Sequence, residues 1–185
     1  MREKELRCAC RTLQLQQPIV WDYPDGQVAD RDPEIIIQQI LLLMQEIQPQ
    51  VVLTFGPDGL SGHPDHIAIG NAASVAFQRY RKAGALYQLA VPVSVAQSLG
   101  MNQVRGVADS QIVLAVDVTS VWEAKMKAIQ CHATQIASSP IMMQSENRKR
   151  QFLGFEHFVR AADYDPKIDF VPILLEEYIG GKIES

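Results

Sequence analysis

Apolar positions follow two rhythms along this chain, a helical recurrence and short continuous runs, and the two alternate. Residues 2–13 read as a helix. Pro18 precedes a short strand at residues 19–22, and Tyr23-Pro24-Asp25-Gly26 has the composition of a turn. Asp32-Pro33-Glu34 is a helix start, with Asp as N-cap, Pro at the first helical position and an acid in the positive first turn. The helix it opens predicts a buried stripe of Ile36, Ile40, Leu43, Met44 and Ile47, and Pro49 stops it. Residues 51–55, Val-Val-Leu-Thr-Phe, form a β-branched run bounded by a helix and a glycine loop, which predicts a parallel strand buried on both faces. A second helix starts at His63 and carries Ile69, Ala72, Ala73, Ala76, Phe77 and Tyr80 on one side, with Gly84 as its stop. Strands follow at residues 86–91 and 112–116, a helix at 121–132 and a strand at 155–159; the tail from Phe152 is less regular. Helices alternating with apolar strands predict an α/β fold with a largely parallel sheet, in which sites lie beyond the carboxyl ends of the strands.

Composition narrows the picture. The chain has 185 residues, 47% of them hydrophobic, enough for one domain with a real core. A net charge of −4 gives no general pull toward nucleic acid or anionic membrane. The basic run Arg148-Lys149-Arg150 reads as a solvated helix end or loop. Cys8, Cys10 and Cys131 are odd in number, and the first two lie too close in sequence for a zinc pair, so reduced thiols and a cytoplasmic location are expected. The N-terminus lacks a signal-peptide pattern, and no apolar run is long enough to predict a transmembrane segment.

The chemistry concentrates in residues 54–68, Thr-Phe-Gly-Pro-Asp-Gly-Leu-Ser-Gly-His-Pro-Asp-His-Ile-Ala. The stretch leaves a strand, crosses a glycine loop and enters a helix. Pro64 suits the first helical position, which makes His63 the N-cap and puts His66 in the first turn. Both imidazoles can reach the positive space in front of the helix terminus, which favours an anion or a developing oxyanion. Asp65 stands between them as an acceptor able to orient a ring. A bare His-x-x-His is more often an ordinary strand-to-helix loop whose histidines cap the helix. No nucleophilic serine elbow, P-loop or dinucleotide-binding glycine pattern is present.

The pattern Thr-x-Gly-x-x-Gly-x-x-Gly-His-Pro-Asp-His resembles the second signature of the LmbE-like, PIG-L family of zinc-dependent de-N-acetylases. Tyr23-Pro-Asp-Gly26, Gln48-Pro-Gln-Val-Val-Leu-Thr-Phe55, Lys127-Ala-Ile with His132-Ala-Thr-Gln135, and Gly154-Phe-Glu-His-Phe158 resemble further family elements in the same order. The resemblance implies a three-layer, Rossmann-like α/β fold, one partial domain over residues 1–185, and removal of an acyl group from an N-acylated amino sugar or glycoconjugate. It implies zinc as cofactor, His66 as a zinc ligand, His63 as the stabiliser of the oxyanion and Asp65 as the group that tunes His63. The expected partner is a small-molecule amino-sugar conjugate, with no nucleic acid.

The family's first signature, a strand ending in His-Pro-Asp-Asp that supplies two more ligands and the general base, has no counterpart here. Relative to the family the sequence reads as N-terminally truncated, with a sheet centre open to homo-oligomer formation. Three accounts stand: a fragment, a degenerate relative without zinc chemistry, or a rebuilt site drawing on His132, His157, Asp58 or Glu156. An impaired hydrolase is expected, and a non-catalytic carbohydrate-binding or interaction protein on the same scaffold is the alternative.

Overall fold

The computed structural model describes residues 1–163. It is a mixed α/β structure with a four-stranded sheet in the order β1-β2-β4-β3 (β1 Val51–Phe55, β2 Ala85–Ala90, β3 Leu114–Asp117, β4 Phe155–Asp163). The chain groups into two compact units. Unit 1 comprises Met1–Tyr23 and Ala115–Glu156; unit 2 comprises Pro24–Leu114 and the described residues from His157. The part of the irregular tail beyond residue 163 lies outside the described residues.

In unit 2, α2 (Pro33–Ile47) begins as its sequence dictates, because the Asp32 carboxylate accepts the Glu34 N–H at 3.0 Å. α4 (Pro64–Tyr80) packs against α2 and over β1 through Ala72, Ala73, Ala76, Phe77 and Tyr80, all buried. Its approach to the sheet is set at Gly70, where a Cβ would lie 2.5 Å from the Phe55 carbonyl oxygen, so only glycine lets helix and strand meet this closely. β1 and β2 pair in parallel from Val51↔Ala85 to Phe55↔Leu89, whereas β2 and β4 are antiparallel.

Several expectations need correction. α4 ends at Tyr80, before Gly84, with Arg81 taking the left-handed position at φ 54°. Gly84 is already part of the strand entry, its N–H bonded to the Gln50 carbonyl at 2.7 Å. β1 stands at the end of the sheet order and leaves Leu53 60% exposed, so it is not buried on both faces. In α2 the buried positions are Ile36, Ile37 and Met44, while Ile47 is exposed. Residues 19–22 form no strand: Ile19 and Val20 are exposed, and no neighbouring strand pairs with them.

In unit 1, α1 (Arg2–Thr12) packs against α6 (Trp122–Gln130). The Glu5 carboxylate, buried on α1, accepts the Thr134 N–H at 2.9 Å and its hydroxyl at 2.7 Å, capping the turn α7 (Ala133–Ile136). Those two bonds hold the Glu5 carboxyl below its ordinary range, the backbone N–H contributing most. Cys8 and Cys131 form a disulfide, which overturns the expectation of three reduced thiols; Cys10 alone is free, and it is buried. Their sequence positions lie 123 residues apart, a proximity that only the folded chain reveals. The basic run at residues 148–150, expected as a solvated helix end or loop, lies in a helix, α8 (Glu146–Leu153); its Arg150 lies 4.5 Å over the ring of buried Trp122. Among the described residues, no helix is long and apolar enough to cross a membrane.

Candidate active site

The exit of β1 and the start of α4 build one loop, and each imidazole is fixed by a different backbone contact. His63 is the N-cap of α4, its Nδ1 accepting the Asp65 N–H at 3.2 Å. An accepting Nδ1 carries a lone pair, so the ring proton sits on Nε2. His66 Nδ1 stands 3.2 Å from the Gly59 carbonyl oxygen, to which a ring nitrogen can only donate. In the neutral ring its Nε2 then keeps the lone pair. The hydrogen-bond network thus selects opposite tautomers for two rings whose centroids are 4.7 Å apart. One presents a donor, and the other a ligand-type nitrogen.

The rings are held by packing as well. His66 stacks on Phe55 with centroids 4.1 Å apart and planes 7° from parallel. His66 is half-buried and His63 is exposed, which leaves His63 open to a bound molecule. Between the two residues, Asp65 is buried at 8% exposure. Its carboxylate accepts the N–H groups of Gly26 at 2.7 Å, Val28 at 3.0 Å and Ala29 at 3.3 Å. Asp65 therefore ties the Tyr23-Pro-Asp-Gly26 turn region to the helix start. It meets His63 through its own backbone N–H, while its carboxylate serves the 26–29 loop.

The loop ahead of the histidines carries strain. α3 (Gly59–Gly62) is a single turn capped by Asp58, whose carboxylate accepts the Leu60 N–H at 2.9 Å. Leu60 itself sits at φ 66°, a conformation that costs a non-glycine residue ~1 kcal/mol or more. Its carbonyl is taken up by the Arg105 N–H at 2.8 Å. The Arg105 side chain then crosses Gly62, where a Cβ would lie 2.7 Å from Cζ. Sequence reasoning missed Arg105, because its own segment carries no motif. The only advance signal was a glycine directly before His63.

The other candidates have separate places. His132 is the N-cap residue of α7 and lines a cavity of ≈ 410 Å³ in unit 1, walled mainly by Ala9, Leu13, Val121 and Ala128. Glu156 pairs with Lys125. His157 lies on β4 opposite Ala90. Asp58 is occupied by its cap bond.

The residues do not fit a catalytic zinc by themselves. Such an ion takes three protein ligands, and among the described residues no group of three His, Cys, Asp or Glu is placed to hold a metal. His66 offers one nitrogen with the backbone-carbonyl support that metal-binding imidazoles have.

Residues 1–77 match the family model described as PIG-L, GlcNAc-PI de-N-acetylase, a segment that contains the whole histidine loop. A protein of Rhodococcus erythropolis (strain PR4 / NBRC 100887), named 1D-myo-inositol 2-acetamido-2-deoxy-alpha-D-glucopyranoside deacetylase, is 32% identical over 156 residues, covering 68% of this chain and 52% of the relative. The protein of that name from Rhodococcus opacus (strain B4) is 28% identical over 156 residues, 69% of this chain and 53% of the relative. The chain thus spans about half the length of the curated relatives it matches. The crystal structure of the conserved protein TT1542 from Thermus thermophilus superposes with a TM-score of 0.60 at 20% identity, over 92% of this chain and 75% of that one, a likeness of fold.

Proposed function

We propose, from the membership of residues 1–77 in the PIG-L, LmbE-like family, that this chain carries the second-histidine half of an amide hydrolase acting on N-acylated amino sugars. The observation that carries the reading is the pair of backbone contacts, Asp65 N–H to His63 Nδ1 and His66 Nδ1 to the Gly59 carbonyl, from which complementary tautomers are assigned. Hydrolysis of an acetamide passes through a tetrahedral intermediate whose oxygen becomes negative. His63 Nε2–H, exposed at the positive end of α4, is the donor for that oxygen. Asp65 is a positioning residue: it fixes the 26–29 loop and, through its own N–H, the His63 ring. His66 is the one ligand-type imidazole of the site. Zinc is the cofactor expected of the family, but two further donors and a base to accept the proton of water are not among the described residues. No chemical step is assigned to the metal, and the chain alone is expected to hydrolyse slowly.

Support for an amino-sugar substrate comes from the names of the relatives, deacetylases of an N-acetylglucosaminyl inositol. That no such donor cluster occurs among the described residues favours a second reading, a carbohydrate-binding protein without turnover on the same scaffold. Acetate release from N-acetylglucosaminyl inositol, measured with added zinc, separates the two. The hydrolase reading expects slow release that drops about a hundredfold or more in H63A, the usual cost of losing an oxyanion donor. Binding without release, unchanged in H63A, would establish the second reading instead. A cytoplasmic location is also proposed, and the Cys8–Cys131 disulfide weighs against it because disulfides are rare there; a pair found oxidised in protein isolated under thiol-trapping conditions would contradict the location.

A further inference from the structure

We infer that Arg105 is a specificity-determining residue that favours amino sugars bearing a phosphate over neutral ones. The inference rests on the proposed amino-sugar reading and adds a substrate class to it. Arg105 is exposed, and its guanidinium has no hydrogen bond or ion pair among the described residues. It is nevertheless closely positioned. A methyl group on Gly62 would sit 2.7 Å from Cζ and Nη2 and 2.9 Å from Nε, so the fork lies flat against the backbone one residue before His63. Gly62 has φ +79°, which makes glycine necessary there on conformational grounds as well.

The segment that delivers Arg105 is pinned on both sides. The Arg105 N–H bonds the Leu60 carbonyl at 2.8 Å, and Val107 exchanges bonds with Val91 and Val93 at 2.9 Å each. Gly106 lies against the backbone of Val93, where a Cβ would stand 3.0 Å from the Val93 Cα. Gly62 directly precedes His63 in the chain, so a cation resting on Gly62, unpaired among the described residues, belongs to the same loop as the proposed oxyanion donor and is suited to a second negative charge on the same ligand. A guanidinium fork matches phosphate oxygens in two parallel bonds. In an N-acetylglucosamine the acetamide is on C2, and C1 is bonded directly to it. A phosphate on C1 is therefore close enough to the acetamide for one ligand to present both groups to this loop.

The test is equilibrium binding by the full chain of three probes: N-acetylglucosamine, N-acetylglucosamine 1-phosphate and inorganic phosphate. A charge-assisted bond of this kind corresponds to about a tenfold preference, and the sugar phosphate should bind about tenfold tighter than the neutral sugar. R105A should remove most of that ratio, and R105K should keep part of it, because a point charge lacks the fork. Thermal unfolding verifies that both variants fold. Equal binding of the two sugars, or a ratio unchanged in R105A, would overturn the role of Arg105 while leaving the amino-sugar reading intact. Inorganic phosphate binding as tightly as the sugar phosphate would overturn it too, by reducing the site to a general anion contact. Binding of none of the three probes would overturn the amino-sugar reading itself and this inference with it.

Discussion

Two buried carboxylates, Asp65 in unit 2 and Glu5 in unit 1, do similar local work with different consequences. Each accepts backbone N–H groups from a distant segment, Asp65 from residues 26, 28 and 29 and Glu5 from Thr134. Each has a histidine close by in the fold, His63 for Asp65 and His132 for Glu5. Around Glu5 the junction is closed: the Thr134 hydroxyl is also taken, and Cys8–Cys131 ties α1 covalently to the end of α6, just before α7. Around Asp65 the backbone bonds fix the loop but leave two imidazole nitrogens unused, one protonated and one not. A staple satisfies all of its polar groups, whereas a site orients some of them and leaves them available.

Four perturbations probe that contrast. The largest effect should come from the staple. Opening Cys8–Cys131 by C131S frees a long loop in the unfolded chain and should cost about 4 kcal/mol in urea unfolding. A change below ~1 kcal/mol would mean that the bond adds nothing to unit 1 beyond its other contacts. Next, D65A strips three N–H groups of their acceptor and should cost ~3 kcal/mol, and D65N about half of that because it keeps one acceptor oxygen. Equal losses in D65A and D65N would show that charge, not acceptor geometry, holds the loop.

Smaller changes sharpen the division further. H63A removes the cap of α4 and should cost about 1 kcal/mol, while H63N, a good cap, should stay within ~0.5 kcal/mol of the parent. If H63N nevertheless lowers acetate release as strongly as H63A, the ring is needed for chemistry and not for folding. The least effect concerns acid. Glu34 is held at about 2, against an ordinary 4.5, first by its bond to Arg79, and Glu5 is also lowered. A lowered carboxyl contributes stability that is complete above its unfolded value and is lost as pH falls toward its folded one. Unfolding should therefore become easier as pH drops from 4.5 toward about 2, and E34Q and E5Q should each flatten part of that slope.

Much of this was legible beforehand where local chemistry decides. Asp32-Pro33 and His63-Pro64 fix two helix starts through caps that neighbouring residues complete. The run at residues 51–55 announces a strand, and the glycine loop announces the site. What stayed hidden depends on distance in sequence. Nothing local couples Cys8 to Cys131, Asp65 to Gly26, or Arg105 to Gly62. The missing strand at residues 19–22 has the same origin, since apolar residues make a strand only beside another strand. Arg81 shows the reverse case, in which the path into β2 forces a left-handed turn on a residue with no preference for it.

The tautomers of His63 and His66 test the central claim most directly. Long-range proton–nitrogen NMR on ring-labelled protein at neutral pH separates a protonated ring nitrogen from one with a lone pair. The account predicts a proton on Nε2 of His63 and on Nδ1 of His66, with each exchanged for the other form when its backbone partner is lost. Both rings in the same tautomer would contradict it, because the site would then lack either the oxyanion donor or the ligand nitrogen.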